Sequence, residues 1–133
     1  MTRPGVTRGL ADTTVFIARD SRRPVNVEAL PDELTVSIIT IGELRAGVLA
    51  TDDLDTRDQR LATLTHALAM APVPVDDAVA RAWARLRVVL RDHGQRMPLN
   101  DSWIAASAWS RRLPVVTQDH DYVEIPGLEV IRV

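Results

Sequence analysis

The chain has 133 residues, 46% of them hydrophobic, which suits one domain with a core of its own. It contains no cysteine, which excludes disulfides, zinc–thiolate centres and thiol nucleophiles, and no lysine, so all 16 basic residues are arginine. The formal charge of −2 is opposite in sign to that of a typical nucleic-acid binder, so such a role would rest on where the charges lie rather than on their sum. Arginine suits bidentate phosphate contacts; a GC-rich genome accounts for its excess equally well. No apolar run approaches the roughly 20 residues needed to span a bilayer, and Met1 to Leu10 lacks the apolar stretch of a secretory signal. The expectation is a soluble, cytoplasmic protein with no membrane partner.

Residues 1–8 are polar and interrupted by Pro4 and Gly5, so they read as a flexible leader, with a single domain over 9–133. Gly9-Leu10-Ala11 is expected to end a first strand. Thr13 or Thr14 is the expected cap of a short helix containing Val15, Phe16 and Ile17. Arg19 to Pro24 reads as a turn, and Leu34-Thr35-Val36-Ser37 as a second strand. Ile41, Leu44 and Val48 then recur at helical spacing. Another helix is expected over about Asp55 to Met70, with Leu61, Leu64 and Leu68 on one face. Pro72 to Val75 breaks it as a short edge strand. Asp76-Asp77 opens a helix with Val79, Trp83, Leu86 and Leu90 as its stripe and Gly94 as its stop. Arg81/Arg85 and Arg87/Arg91 on that helix read as a solvated face, with Asp77 bridging Arg81. Asn100 is the expected cap of a helix to about Arg112, followed by strands at Leu113–Thr117 and Leu128–Val133. Strands alternating with helices predict a three-layer α/β/α domain around a central parallel sheet. Sites in such sheets lie beyond the carboxyl ends of the strands.

Asp12 and Asp119 fall just after strands, Glu43 rides a helix, Asp101 opens one, and Asp121 lies two residues past Asp119. Each has an ordinary reading: Asp12 as a turn or cap, Glu43 as a solvated acid beside a helix-admitting Gly47, Asp101 as a complement to the helix dipole. Together they form a carboxylate set with no basic partner in sequence, and oxygen ligands of that kind suit Mg²⁺ or Mn²⁺. Ala105 and Ala108, one and two turns after Asp101, are expected to leave open space above it. Thr117 and Gln118 offer groups that could orient a carboxylate or a water. Arg111 and Arg112 either complement the helix end or hold phosphates. His66, His93 and His120 show no zinc spacing. The pattern predicts metal-dependent phosphodiester chemistry. A haloacid-dehalogenase-type phosphatase and a receiver domain are disfavoured by the missing lysine, and a dinucleotide-binding domain by the absence of a glycine-rich first turn.

Four stretches in order carry a resemblance to a known family: Asp12-Thr13-Thr14-Val15, Ser37 to Gly47 around Glu43, Asn100-Asp101 with Ile104-Ala105-Ala106, and Thr117-Gln118-Asp119-His120-Asp121-Tyr122. They resemble the PIN-domain family and, within it, the VapC-like toxin ribonucleases of type II toxin–antitoxin modules. Thr14 stands where Ser or Asn is more usual, and Tyr122 where Phe is. The resemblance implies a PIN-like domain over 9–133 and an Mg²⁺- or Mn²⁺-dependent endoribonuclease. It also implies a homodimer, a cognate antitoxin protein and a transfer, ribosomal or messenger RNA substrate. Asp12, Glu43, Asp101 and Asp119 would be catalytic. Asp12, Asp101, Asp119 and Asp121 would hold metal, with Thr13, Thr117, Arg111 and Arg112 as weaker candidates for substrate contact. The helices between Thr40 and Met70 are the expected dimer or antitoxin surface. The alternative is a PIN-like module that binds RNA or a partner without cutting.

Overall fold

The computed structural model describes residues 5–133; the expected leader positions 1–4 lie outside the described residues. The first strand, β1, spans Arg8–Ala11. It begins within the expected leader, because Thr7 is already fastened: its amide donates to Asp32 Oδ2 at 3.0 Å and its hydroxyl accepts from the Asp32 amide at 2.9 Å. Gly9 is needed there, since a Cβ would meet Val116 Cγ2 at 2.7 Å and Pro31 Cγ at 2.9 Å. β1 is followed by α1 (Thr13–Asp20), β2 (Glu33–Val36), α2 (Ile38–Leu49), α3 (Leu54–Leu68), α4 (Asp77–Asp92), α5 (Leu99–Ser110), β3 (Val115–Thr117) and β4 (Val130–Arg132). The four strands form a parallel sheet in the order β2-β1-β3-β4.

Alternation along β1 creates the layers. Leu10 and Ala11 are adjacent and both 0% exposed, yet they enter different cores. Leu10 packs with Val115, Val79, Leu86 and Ile104, on the face covered by α4 and α5. Ala11 packs with Val36, Phe16, Ile41 and Leu64, on the face covered by α1, α2 and α3. Each large apolar side chain so buried stabilises the fold by about 1.5–3 kcal/mol. This is the expected three-layer α/β/α arrangement.

Several local expectations are corrected. Asp12, not Thr13 or Thr14, caps α1, accepting from the Thr14 amide. α5 starts one residue before Asn100, with Pro98 as its cap and no side-chain cap bond; proline has no amide to satisfy and its fixed φ leads directly into the helix. Asp101 therefore sits in the first turn of α5. On α3 the buried stripe is Thr63, Leu64 and Ala67, while Leu61 and Leu68 are 47% and 39% exposed. Small side chains let α3 approach α1, and the Thr63 hydroxyl donates to the Asp20 carboxylate. Pro72–Val75 contributes a single bridge, Ser37↔Val73, because the flanking prolines offer no amide to extend the ladder.

Candidate active site

Asp12 leaves the carboxyl end of β1 and is 1% exposed. Its Oδ1 accepts from the Thr14 amide at 3.1 Å and the Thr14 hydroxyl at 2.6 Å. Its Oδ2 accepts from the Thr117 hydroxyl at 2.6 Å. Thr117 ends β3, the strand hydrogen-bonded beside β1, so the sheet itself brings the two together. Both hydroxyls act twice: Thr14 Oγ1 also accepts from the Gln118 amide at 2.9 Å, and Thr117 Oγ1 from the Asp119 amide at 2.8 Å. The carboxylate is thus fixed by hydroxyls and amides, with no cation among its hydrogen-bond partners in the described residues. Burial raises its pKa, opposed by the hydrogen bonds from Thr117 and Thr14 and the amides of Val15 and Thr14.

The loop after β3 turns back on itself, the Asp121 amide donating to Asp119 Oδ1 at 2.9 Å. Carboxylate oxygens of Asp101, Asp119 and Asp121 all lie within 4.8 Å of one another. Asp101 is pushed up to about 7, by burial first and then by the charges of Asp119, Asp12, Glu43 and Asp121. These five acids from separated segments therefore act as one electrostatic unit. The Tyr122 phenol, buried and facing the same carboxylates, is raised too, so it stays protonated and points its O–H at Asp101 Oδ1, 3.5 Å away.

Glu43 stands at the rim of the cluster. Thr13 donates to Glu43 Oε1 at 2.7 Å, and the Thr13 and Thr40 hydroxyls are 3.0 Å apart. Glu43 also lines a cleft of about 400 Å³ with Thr13, Ile17, Leu44, Gly47 and Arg60. A Cβ on Gly47 would meet only Arg60 Cδ, at 3.9 Å, so helix packing does not demand glycine there.

Asp12, Glu43, Asp101, Asp119 and Asp121 are brought together as the sequence suggests. Thr13 and Thr117 are 8% and 0% exposed and hold carboxylates rather than face solvent. Ala105 and Ala108, expected to leave space over Asp101, are both 0% exposed and belong to the core against the sheet. Arg111 and Arg112 lie at the far end of α5, roughly 15 Å from Asp101 at 1.5 Å per residue. Arg111 there pairs with Asp76 at 2.9 Å. Thr14, Thr40 and Tyr122, which the sequence reading quotes within the family motifs without giving them a role in the site, are also parts of it. The available signal was a threonine or tyrosine within three residues of Asp12, Glu43, Asp119 and Asp121.

The donor set is all oxygen, contains no sulfur, and leaves Asp101 under repulsion from four other acids. That chemistry fits a hard divalent cation such as Mg²⁺ or Mn²⁺.

Residues 10–128 match the PIN domain family. The chain is 49% identical over 128 residues to Ribonuclease VapC5 of Mycobacterium tuberculosis, covering 94% of this chain and 95% of that protein. It is 42% identical over 128 residues to Ribonuclease VapC4 of the same organism, covering 96% and 98%. The crystal structure of VapBC-5 from Mycobacterium tuberculosis, a member of the VapBC family of toxin-antitoxin systems, matches with a TM-score of 0.86 at 46% identity, over 96% of this chain and 99% of that one.

Proposed function

The chain belongs to the PIN-domain family, and on that footing we propose that its acidic centre hydrolyses RNA phosphodiester bonds, as the toxin of a toxin–antitoxin pair. The observation that carries this reading is the set of five mutually repelling acids around Asp101, gathered at the carboxyl ends of parallel strands. Its likeness to the VapC ribonucleases over nearly its whole length supports the same reaction.

Asp101, Asp119 and Asp121 would hold Mg²⁺ or Mn²⁺, with Asp12 behind them as a fourth ligand, direct or through water. When bound, such an ion lowers the pKa of a water and offsets negative charge on the phosphoryl oxygens. The chain's own residues supply the rest. Thr14 and Thr117 fix Asp12 so that its charge cannot swing away from the centre. Glu43, held by Thr13, faces the rim where substrate arrives and would orient the attacking water. Tyr122 donates toward Asp101 and closes the apolar side of the centre. No nucleophilic side chain is required.

The partner surface would be the α2–α3 pair. Leu49 and Leu54 are 80% and 78% exposed there, and Leu61 joins them. These apolar side chains suit the antitoxin or a second copy of the chain in a homodimer. Among the described residues no helix is long and apolar enough to cross a membrane; the proposed place of action is the cytoplasm.

The test is incubation of the full chain with cellular RNA across a titration of Mg²⁺ or Mn²⁺, with fragment ends mapped. Discrete metal-dependent cuts abolished by EDTA are expected. RNA binding without cutting, indifferent to EDTA, would instead support a binding module.

A further inference from the structure

Two arginines among the described residues sit in close pairs with carboxylates: Arg81 with Asp77 at 2.8 Å and Arg111 with Asp76 at 2.9 Å. One group differs. Arg87, Arg91 and Arg96 line a cleft of about 420 Å³ together with Gln95, Met97 and Ser102. No carboxylate lines it. The nearest acid contact among the described residues is Asp92 with Arg91, 3.4 Å between sequence neighbours, with both side chains largely exposed.

This cleft reaches the same end of α5 as the acidic centre: Ser102, which lines it, follows Asp101 in the chain. Its wall is also pre-arranged. Trp83 and Trp103 stack with centroids 4.3 Å apart and planes 3° from parallel. Trp83 donates Nε1–H to the Ser102 hydroxyl at 3.0 Å. The Arg87 guanidinium sits over the Trp83 ring, 4.9 Å from its centroid. A guanidinium stacked on a ring uses its face and keeps its N–H edges for acceptors. The sequence alone gives Arg87 and Arg91 as an ordinary solvated helix face; the fold brings them to one cleft with Arg96, at the end of α5 that carries Asp101.

We propose that this α4–α5 cleft holds the phosphodiester backbone of the RNA next to the bond being cut, with Arg87, Arg91 and Arg96 as its phosphate contacts. The assignment rests on the ribonuclease reading above and names how that site takes its substrate. An acidic centre repels RNA, and an ion bound in it compensates only the phosphate it touches. Neighbouring phosphates need donors of their own, and bidentate guanidinium contacts are the chemistry that matches them.

The experiment uses the full chain carrying Asp101→Asn, so that binding is read without cutting. Affinity for a labelled single-stranded RNA oligonucleotide is measured against salt concentration, with and without Arg91→Gln and Arg96→Gln. Removing two phosphate contacts from a single strand should flatten the slope of log affinity against log salt by about 1.4 and weaken binding about tenfold at low salt. Arg8→Gln, at the opposite end of β1, should leave the slope unchanged. An unchanged slope in the Arg91/Arg96 double variant would overturn the assignment. So would unchanged RNA affinity accompanied by lost self-association or antitoxin binding in size-exclusion chromatography, which would make the cleft a protein interface. A parallel digestion separates the two readings. If the wild-type chain cuts RNA with Mg²⁺ while the double variant keeps its slope, only the cleft assignment fails. If the wild-type chain cuts nothing, the ribonuclease reading fails and the cleft assignment falls with it.

Discussion

The two ends of α5 treat charge in opposite ways. At the start, Asp101 is crowded by four other carboxylates and pushed up to about 7. At the finish, Arg111 pairs with Asp76, and that hydrogen bond, aided by the Val79 amide, holds Asp76 below its usual range. One helix thus carries a charge arrangement that opposes folding and another that favours it. The paired end explains itself as structure: it ties α5 to the start of α4. The unpaired end has no structural benefit in the free chain, and a cation is the simplest agent to relieve it.

The largest effect expected from breaking this contrast is on cleavage. Asp101→Asn keeps the shape and removes the charge, and should cut the initial RNA cleavage rate by about 10²–10³-fold or more, the scale seen when one electrostatic element of an active site is lost. A rate within error of wild type would remove Asp101 from the chemistry. Next comes Thr117→Val, which deletes the donor to Asp12 and the acceptor of the Asp119 amide while conserving volume. Loss of such an orienting group should cost about 10–100-fold in metal affinity or activity, measurable by titrating Mg²⁺ into the cleavage assay.

Stability should sharpen the comparison further. Asp101 holds its proton up to about 7 when folded, against an ordinary 3.8. Its contribution to stability is therefore fully present below 3.8 and is lost as pH rises through about 7. In EDTA the wild-type Tm should fall across that window, and Asp101→Asn should flatten the fall. Relief of only ~1 kcal/mol, a figure discounted for the partly exposed position, would raise Tm by about 3–5 °C in a domain of this size. Asp76 has the opposite sign: its contribution is present above its ordinary value and is lost as pH falls through the lowered one. The smallest effect is at that far end. Arg111→Ala should lower Tm slightly and leave cleavage unchanged, as for an exposed ion pair; a loss of activity would bring Arg111 back as a substrate contact.

Much of the site was legible in the sequence because a parallel sheet sends functional groups to the carboxyl ends of its strands, and Asp12 and Asp119 stand there. Helical periodicity likewise located α2 and α4. What escaped was anything that depends on which strands are neighbours. Thr14 and Thr117 approach to 3.4 Å across a separation of 103 residues, and nothing in local pattern reports that β3 lies beside β1. Rotation of a helix about its axis was equally hidden. Leu61 and Leu68 have the spacing of a buried stripe, but α3 turns Thr63 and Ala67 inward because small side chains allow close packing. Ala105 and Ala108 were misjudged for the converse reason: small residues read as vacant space were filled by the sheet packed against them. The arginine wall was invisible because its neighbourhood, α4 against the first turn of α5, exists only once the two helices pair.

The threonine that locks Asp12 in place comes 105 positions after it. A ribosome making this chain must therefore synthesise well past β3 before any competent centre can assemble, so fragments released early by stalling or proteolysis should be harmless.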